Sequence, residues 1–328
     1  MNEVQTSGDS PGRQRCALSI VTMVYKSLPY LDEFVASAAA VASRLAGQSY
    51  ELIFVVDGSP DDSLQHLRSK QRENPRIVIV DLSRNFGHHQ AAWCGLHTAR
   101  GDLVFIIDCD LEVSPAVLEP FAETMTKSGA DVVYGYQESR RGGIASKYLG
   151  DAFWRIFNLL STTRVPHSIC TERLMSRRYV DTLLTLGDRN LFLAGMYFWA
   201  GFEQVGVKIT KQSRKGRPVY TVFRRFQLMV RAISAFSSLP LQMSFWVGLA
   251  IALGCVAYGM VLLVRKIVHP DAILSGFTTL ALLTSLSAGM IMMSLGVIGL
   301  YISRIYSQTQ NRPVYLIRSV YRSGQEES

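Results

Sequence analysis

Leu103-Val104-Phe105-Ile106-Ile107-Asp108-Cys109-Asp110 passes from an unbroken apolar run into two carboxylates with one residue between them. Five apolar residues without polar alternation read as a strand covered on both faces, the habit of parallel sheets. The carboxylates then stand where such a strand emerges into a cleft. In extended chain residues i and i+2 point to the same side, so Asp108 and Asp110 can face one hard cation, which can in turn hold a diphosphate. A solvated loop start satisfies the same pattern, and the pair alone leaves both readings open.

Working outward, similar runs recur at Leu18 to Val24, Leu52 to Val56, Ile77 to Leu82 and Val132 to Tyr134, separated by helix-like stretches. This alternation predicts a mostly parallel α/β sheet. Leu31, Phe34, Val35 and Ala38 recur at helical spacing within 28–45, and the stretch from His88 to Ala99 predicts a helix closed by Arg100-Gly101, a basic last turn and a stop glycine. Ligands of open sheets bind beyond the carboxyl ends of the strands, where Asp57 and Asp108 fall. No G-x-x-x-x-G-K-[ST] is present and no G-x-G-x-x-G follows the first strand, which removes two common phosphate cradles. The D-x-D follows the fourth expected strand, whereas a phosphatase nucleophile of that type follows the first. His88 and His89 read as polar residues opening a helix, since no spacing to other His or Cys suggests a metal.

The 328 residues leave room for about two units of roughly 150 residues each. Charge divides them: residues 1–203 hold 20 Lys/Arg against 23 Asp/Glu, and residues 204–328 hold 14 against 3, within a net charge of +8. A basic half attracts nucleic acid or an anionic membrane surface. Its hydrophobicity decides between them. Met243 to Val264 is 22 residues without a charge and Ala272 to Ser303 is a second uncharged stretch, each longer than the roughly 20 residues a spanning helix needs. Arg224, Arg225 and Arg231 precede this hairpin and Arg304, Arg312 and Arg318 follow it, against Arg265 and Lys266 in the connection. The positive-inside bias puts the N-terminal domain and the tail in the cytoplasm. Tyr220 to Phe236, aromatic with interleaved Arg, fits an amphipathic interfacial helix beside the membrane, and nucleic acid is not an expected partner. Five cysteines without a C-x-x-C pair argue against a disulfide framework or a zinc knuckle and favour a reduced compartment. No removable signal peptide is evident.

Four segments carry a resemblance: Val55-Val56-Asp57-Gly58-Ser59, Ser83-Arg84-Asn85-Phe86-Gly87-His88, Ile107-Asp108-Cys109-Asp110-Leu111 and Arg173-Leu174-Met175-Ser176-Arg177. With the two-span hairpin, the preceding Phe236-Ser237-Ser238-Leu239-Pro240-Leu241 and the tail motif Asn311-Arg312-Pro313-Val314-Tyr315, the chain resembles the family-2 glycosyltransferases that load a sugar onto a polyprenyl phosphate. The resemblance implies an α/β, GT-A nucleotide-sugar-binding fold with a mostly parallel sheet, and inverting transfer from a nucleoside-diphosphate sugar to polyprenyl phosphate, undecaprenyl phosphate in bacteria, feeding cell-envelope glycans. It implies nucleotide-sugar contacts at Asp57, Ser59, Asn85 and Asp108, a Mg2+ or Mn2+ ion at Asp108, Asp110 and Glu112, and catalytic roles for Asp108, Asp110 and Arg173. Arg140, Lys147 and Arg214 are the implied acceptor-phosphate contacts.

The expected layout is a tail over 1–15, the catalytic domain over 16–215, interfacial helices over 216–242, two spans over 243–303 and a cytoplasmic tail over 304–328, at the bacterial inner membrane. Pro313 to Tyr321 reads as a β-prone run whose unpaired edge a second subunit would cover, hence a homo-oligomer. Departures from the family pattern fall at Ser27, Val56, Thr171 and Gln137. They keep open a second reading, a non-catalytic nucleotide-sugar-binding subunit that assembles partners at the membrane.

Overall fold

The computed structural model describes residues 15–137, 165–166, 168–189, 191–211, 239–268, 276–323 and 325–327. The chain forms two compact units. The first combines residues 1–149, 165–219 and 312–328, and the second combines 150–164 and 220–311.

The first unit is built on one sheet of β1 (Cys16–Val24), β2 (Tyr50–Val56), β3 (Ile77–Leu82), β4 (Gly101–Ile106), β5 (Val132–Tyr136), β6 (Ile169–Ser176), β7 (Gln204–Lys208), β8 (Ile317–Arg322) and β9 (Gln325–Glu327). The order is β7-β5-β6-β4-β1-β2-β3-β8-β9. The four central strands β4, β1, β2 and β3 run parallel, and β5 pairs parallel with β7. β6 runs against both β4 and β5. The continuous apolar runs form these inner strands because both faces are covered. Every residue of β2 and β3 is buried.

α1 (Leu31–Ala46), α2 (Ser63–Glu73) and α4 (Leu118–Ser128) share one apolar cluster with Ile20, Phe54 and Phe105. α3 (His88–Thr98) packs on the other face of β1 and β2 and touches α5 (Arg177–Leu184). α6 (Leu193–Trp199) completes the unit's described helices. The helix from His88 forms as expected, but Gly101 does not stop it. α3 ends at Thr98 and Gly101 opens β4, where a Cβ would lie 2.4 Å from Ser19 N. The glycine answers to strand packing. Ser19 Oγ accepts from Gly101 N at 2.7 Å and donates to Glu51 Oε1 at 2.7 Å.

The tail departs further from expectation. β8 pairs antiparallel with β3, with Asp81 opposite Ser319 and Val80 opposite Val320. Arg318 reaches the buried Asp81 carboxylate at 3.2 Å, Arg322 reaches Glu51 at 3.1 Å, and Gln71 Nε2 donates to the carbonyl of Tyr321 at 2.8 Å. The β-prone run is real, and its partner belongs to the same chain. The argument for a covering subunit therefore lapses, and the end of the expected separate tail is part of the sheet.

In the second unit, α7 (Leu239–Val268) and α8 (Phe277–Thr309) touch each other. Leu241–Val261 and Leu286–Thr309 are long and apolar enough to cross a bilayer. Phe245, Trp246, Val256, Met260, Met292 and Met293 are exposed apolar side chains on these helices. α7 runs through Arg265 and Lys266 to Val268, so the start of the expected connection is helical. The interfacial segment expected at Tyr220 to Phe236 lies outside the described residues.

Candidate functional site

From β1 the chain builds β2 and β3 on one side and then crosses to β4 on the other. Loops leaving the carboxyl ends of β1 and β4 diverge there, and such a reversal opens the crevice in which α/β sheets bind ligands. Asp108 lies two residues past the end of β4. Between the two acids, Cys109 turns inward and its Sγ donates to Met23 O at 3.0 Å, which ties the turn to the end of β1. Burial pushes that thiol up to about 12, so it stays protonated at neutral pH.

Strand alternation does not aim the carboxylates, contrary to the extended-chain reading. The chain leaves β4 at Ile106, turns at Cys109 and Asp110, and Leu111 adopts a left-handed φ of 57°. Asp110 Oδ1 accepts from Glu112 N at 3.1 Å, so the acid helps shape its own turn. His88, at the start of α3, brings Nε2 to 3.7 Å from Asp108 Oδ1.

The loop after β2 is fastened from beneath. Asp57 is 3% exposed, and its two carboxylate oxygens accept from Phe86 N at 2.7 Å and Gly87 N at 2.9 Å. Each oxygen accepts one backbone amide, so Asp57 positions the Ser83 to His88 loop. Val56, where the family pattern has another acid, is buried in the apolar cluster. Ser59 Oγ accepts from Lys26 N at 2.7 Å and donates to Asp61 Oδ1 at 2.6 Å, which joins the β1 and β2 loops. Asn85 is exposed beside this junction.

Gly58 permits the approach. Its φ is +58°, and a Cβ would stand 2.4 Å from Arg84 C and Asn85 N, whereas Gly47, at φ +57°, has nothing within 4 Å. Gly47, at ψ −116°, lies outside the left-handed helical well, so Gly47→Ala is expected to cost about 2 kcal/mol for backbone conformation alone, and Gly58→Ala about 2 kcal/mol through the backbone clash on top of its own conformational cost. Denaturant unfolding of the two variants checks the difference. Equal losses would show that the loop gives way freely.

β6 supplies the next layer. Arg173 lies opposite Ile106, and side chains alternate across the strand, so Glu172 and Arg173 take opposite faces. Arg173 is 1% exposed and its guanidinium sits 3.6 Å over the Tyr197 ring, with Tyr134 and Tyr179 also nearby in the electrostatic sense. Glu172, also 1% exposed, is raised to about 7 by burial, opposed by Lys211 and reinforced by Asp108 and Asp110. Lys211 Nζ stands 3.7 Å from Glu172 Oε1 and 3.7 Å from Glu112 Oε2. Glu112 thus faces an ammonium rather than completing a carboxylate trio.

Among the described residues no three His, Cys, Asp or Glu side chains converge as a metal-ligand set. Asp108 and Asp110 nonetheless suit Mg2+ or Mn2+, because such ions in phosphate sites take one or two carboxylates and complete their shell with substrate oxygens and water. Arg140, Lys147 and Arg214 lie outside the described residues.

The family model described as "Glycosyl transferase family 2" matches residues 19–184. The chain is 37% identical to a protein named as a glycosyltransferase from Mycobacterium tuberculosis (strain CDC 1551 / Oshkosh), over 93% of this chain and 89% of that protein. The chain belongs to glycosyl transferase family 2. The sheet of this glycosyltransferase is of the GT-A kind. It is 30% identical to the SfII prophage-derived bactoprenol glucosyl transferase of Shigella flexneri, over 84% of this chain and 89% of that one. A crystal structure of glucosyl-3-phosphoglycerate synthase from Mycobacterium tuberculosis with Mn2+, UDP and glucosyl-3-phosphoglycerate aligns with a TM-score of 0.45 at 19% identity, over 67% of this chain and 78% of that one.

In this glycosyltransferase the acids and loops quoted from the sequence gather around the reversal between β1 and β4. Sequence reasoning missed Glu172 and Lys211. An acid inside the mostly buried strand Ile169–Ser176 was a usable signal, while Lys211 was one basic residue among many.

His89 is half-buried, its ring 6.4 Å from that of Phe192, and this partial burial pushes it down to about 4, with the neighbouring His88 adding to the shift. The unfolded chain takes up this proton first as pH falls, so His89 withdraws stability between about 6.5 and 4, by up to about 3 kcal/mol. His89→Gln is expected to flatten that limb of a thermal-midpoint-versus-pH curve. Superimposable curves would remove His89 as its source.

Proposed function

We propose that the chain transfers a sugar from a nucleoside-diphosphate sugar to polyprenyl phosphate at the cytoplasmic face of the bacterial inner membrane, with inversion at the anomeric carbon. The observation that carries this reading is the Asp108-Cys109-Asp110 turn at the β1/β4 reversal, in a chain with two helices long and apolar enough to span a bilayer. The Shigella relative named for a bactoprenol substrate supports the lipid class. In this reading residues 16–215 form the catalytic domain, completed by the last strands of the chain. Residues 216–242 lie at the interface and 243–303 cross the membrane.

Asp108 and Asp110 hold Mg2+ or Mn2+, which when bound neutralises charge growing on the departing nucleoside diphosphate. The acceptor needs no strong protein base, because a phosphate monoester with a second pKa of about 6 is largely ionised at neutral pH. Its oxygen forms the new bond to the anomeric carbon as the bond to the diphosphate breaks. The protein's part is orientation and charge placement. Asp57 and Gly58 fix the Ser83 to His88 loop, which sets His88 beside Asp108.

Purified full-length protein incubated with undecaprenyl phosphate, divalent cation and a panel of nucleotide sugars is expected to yield a glycolipid detectable by mass spectrometry. Tight nucleotide binding with no product from any donor would instead favour the assembly-subunit reading, which the buried Val56 and the Thr at position 171 motivate.

A further inference from the structure

We propose that Glu172 and Lys211 form a protein-borne cation for the donor: Glu172 fixes Lys211 beside the Asp108-Cys109-Asp110 turn, and Lys211 Nζ contacts the oxygens of the donor diphosphate. This rests on the nucleotide-sugar reading of the site and names a residue pair that performs part of it.

Placement comes from the sheet. Ile106 pairs with Arg173 in the antiparallel β4–β6 ladder, so the next residue of β6 outward, Glu172, stands at the level of Ile107, one residue before Asp108. A carboxyl buried to 1% exposure costs free energy unless it is paired. Among the described residues Oε2 has no hydrogen-bond partner, and Oε1 faces Lys211 at 3.7 Å. The acid is retained in a mostly buried strand, with Lys211 as its ion-pair partner among the described residues.

Lys211 is shared rather than satisfied. Its two ion-pair distances are both 3.7 Å, beyond the roughly 2.7–3.2 Å of an N–H···O hydrogen bond. An ammonium has three donors, so one more oxygen can be taken without breaking either pair. The side chain is 22% exposed, against 1% for Glu172, which leaves the charge open toward solvent while its anchor is not. The two carboxylates come from separate segments, the D-x-D turn and β6. Any movement of the turn on donor binding is therefore felt at Lys211.

Charge balance gives the pair its purpose. Asp108, Asp110, Glu112 and Glu172 bring four carboxyl groups to the neighbourhood of a diphosphate, and one divalent ion does not offset them. A fixed ammonium adds positive charge without a second metal. In other words, the chain supplies from its own residues a cation for charge that develops as the donor bond breaks.

Nucleoside diphosphate binding by the full-length protein at saturating Mg2+ tests this, with UDP and GDP as probes and uridine and guanosine as controls. Lys211→Met is expected to weaken diphosphate binding at least about 10-fold and leave nucleoside binding within about two-fold. Lys211→Arg is expected to recover most of the affinity, which a purely structural role at a tightly packed site would not allow. The double variant Lys211→Met with Glu172→Met leaves no unpaired buried acid, and it is expected to show the same selective loss if the single variant does not fold. Unchanged diphosphate affinity in either variant, or an equal loss for the nucleoside, overturns the proposal while the transferase reading stands. Wild-type protein that binds neither diphosphate overturns both.

Discussion

Asp108→Asn is expected to leave the protein folded and to lower glycolipid formation by about 1,000-fold or more. The substitution keeps side-chain volume and removes one negative charge from the turn at the β1/β4 reversal. Charge stabilisation by a positioned cation is among the largest contributions to such a displacement, since little covalent work falls to the protein. Asp108 is partly exposed and its Oδ1 lies 3.7 Å from His88 Nε2 at the surface of the turn, so no buried hydrogen-bond network collapses with it. Asp110→Asn is expected to lose activity while keeping its turn, because the amide Oδ1 can still accept from Glu112 N. The measurements are kcat/KM with the productive donor, Mn2+ affinity by electron paramagnetic resonance, and the thermal midpoint. Full turnover in Asp108→Asn with intact Mn2+ binding would remove the D-x-D from the mechanism.

The second large effect lies far along the chain. Deleting residues 312–328 is expected to leave a first unit that aggregates, although no proposed substrate contact is removed. β3 would lose its antiparallel partner and present an apolar edge, the usual template for unwanted strand pairing. Asp81 would lose Arg318 and Glu51 would lose Arg322. Stripping one partner from a buried pair costs about 3 kcal/mol or more, and less where the partner is itself exposed. Arg318 is mostly exposed and Arg322 mostly covered. Arg318→Met is therefore expected to cost about 2 kcal/mol and Arg322→Met about 3 kcal/mol in denaturant unfolding. The Arg318→Met loss should deepen as pH rises, because burial already raises Asp81 and Arg318 opposes that shift. Without the arginine, folding favours the protonated acid over the ionised one. A monodisperse truncated protein with wild-type stability would contradict the pairing.

The inner strands were legible because a strand buried on both faces writes itself as a nearly unbroken apolar run: Leu52 to Val56 is wholly apolar, and Ile77 to Leu82 is interrupted only by Asp81. The position of the D-x-D after the fourth strand was equally plain. Its local geometry was not, since nothing in Asp-Cys-Asp distinguishes extended chain from a turn closed by a left-handed Leu111. The loop-fastening part of Asp57 was hidden for a related reason: an acid at a strand end gives no sign in sequence that it accepts two backbone amides of a loop about 30 residues away. Gly101 matched a helix stop in its flanking residues, yet the constraint on it is the backbone of Ser19. The tail announced a strand through its β-branched and aromatic residues. Its partner could not be read, because register with β3 is fixed by tertiary pairing across most of the chain.

That long-range pairing also orders events in time. Leu82 and Ile317 are 235 positions apart, and synthesis at roughly 5–20 residues per second separates their appearance by roughly 10–50 s. The two long apolar helices are made in the last third of that interval, while β3 waits without its neighbour. Completion of the apolar helices and closure of the sheet are thus ordered along the chain. A pause while α7 or α8 is made prolongs the exposure of β3, which makes this edge a reporter of how promptly the apolar helices are completed.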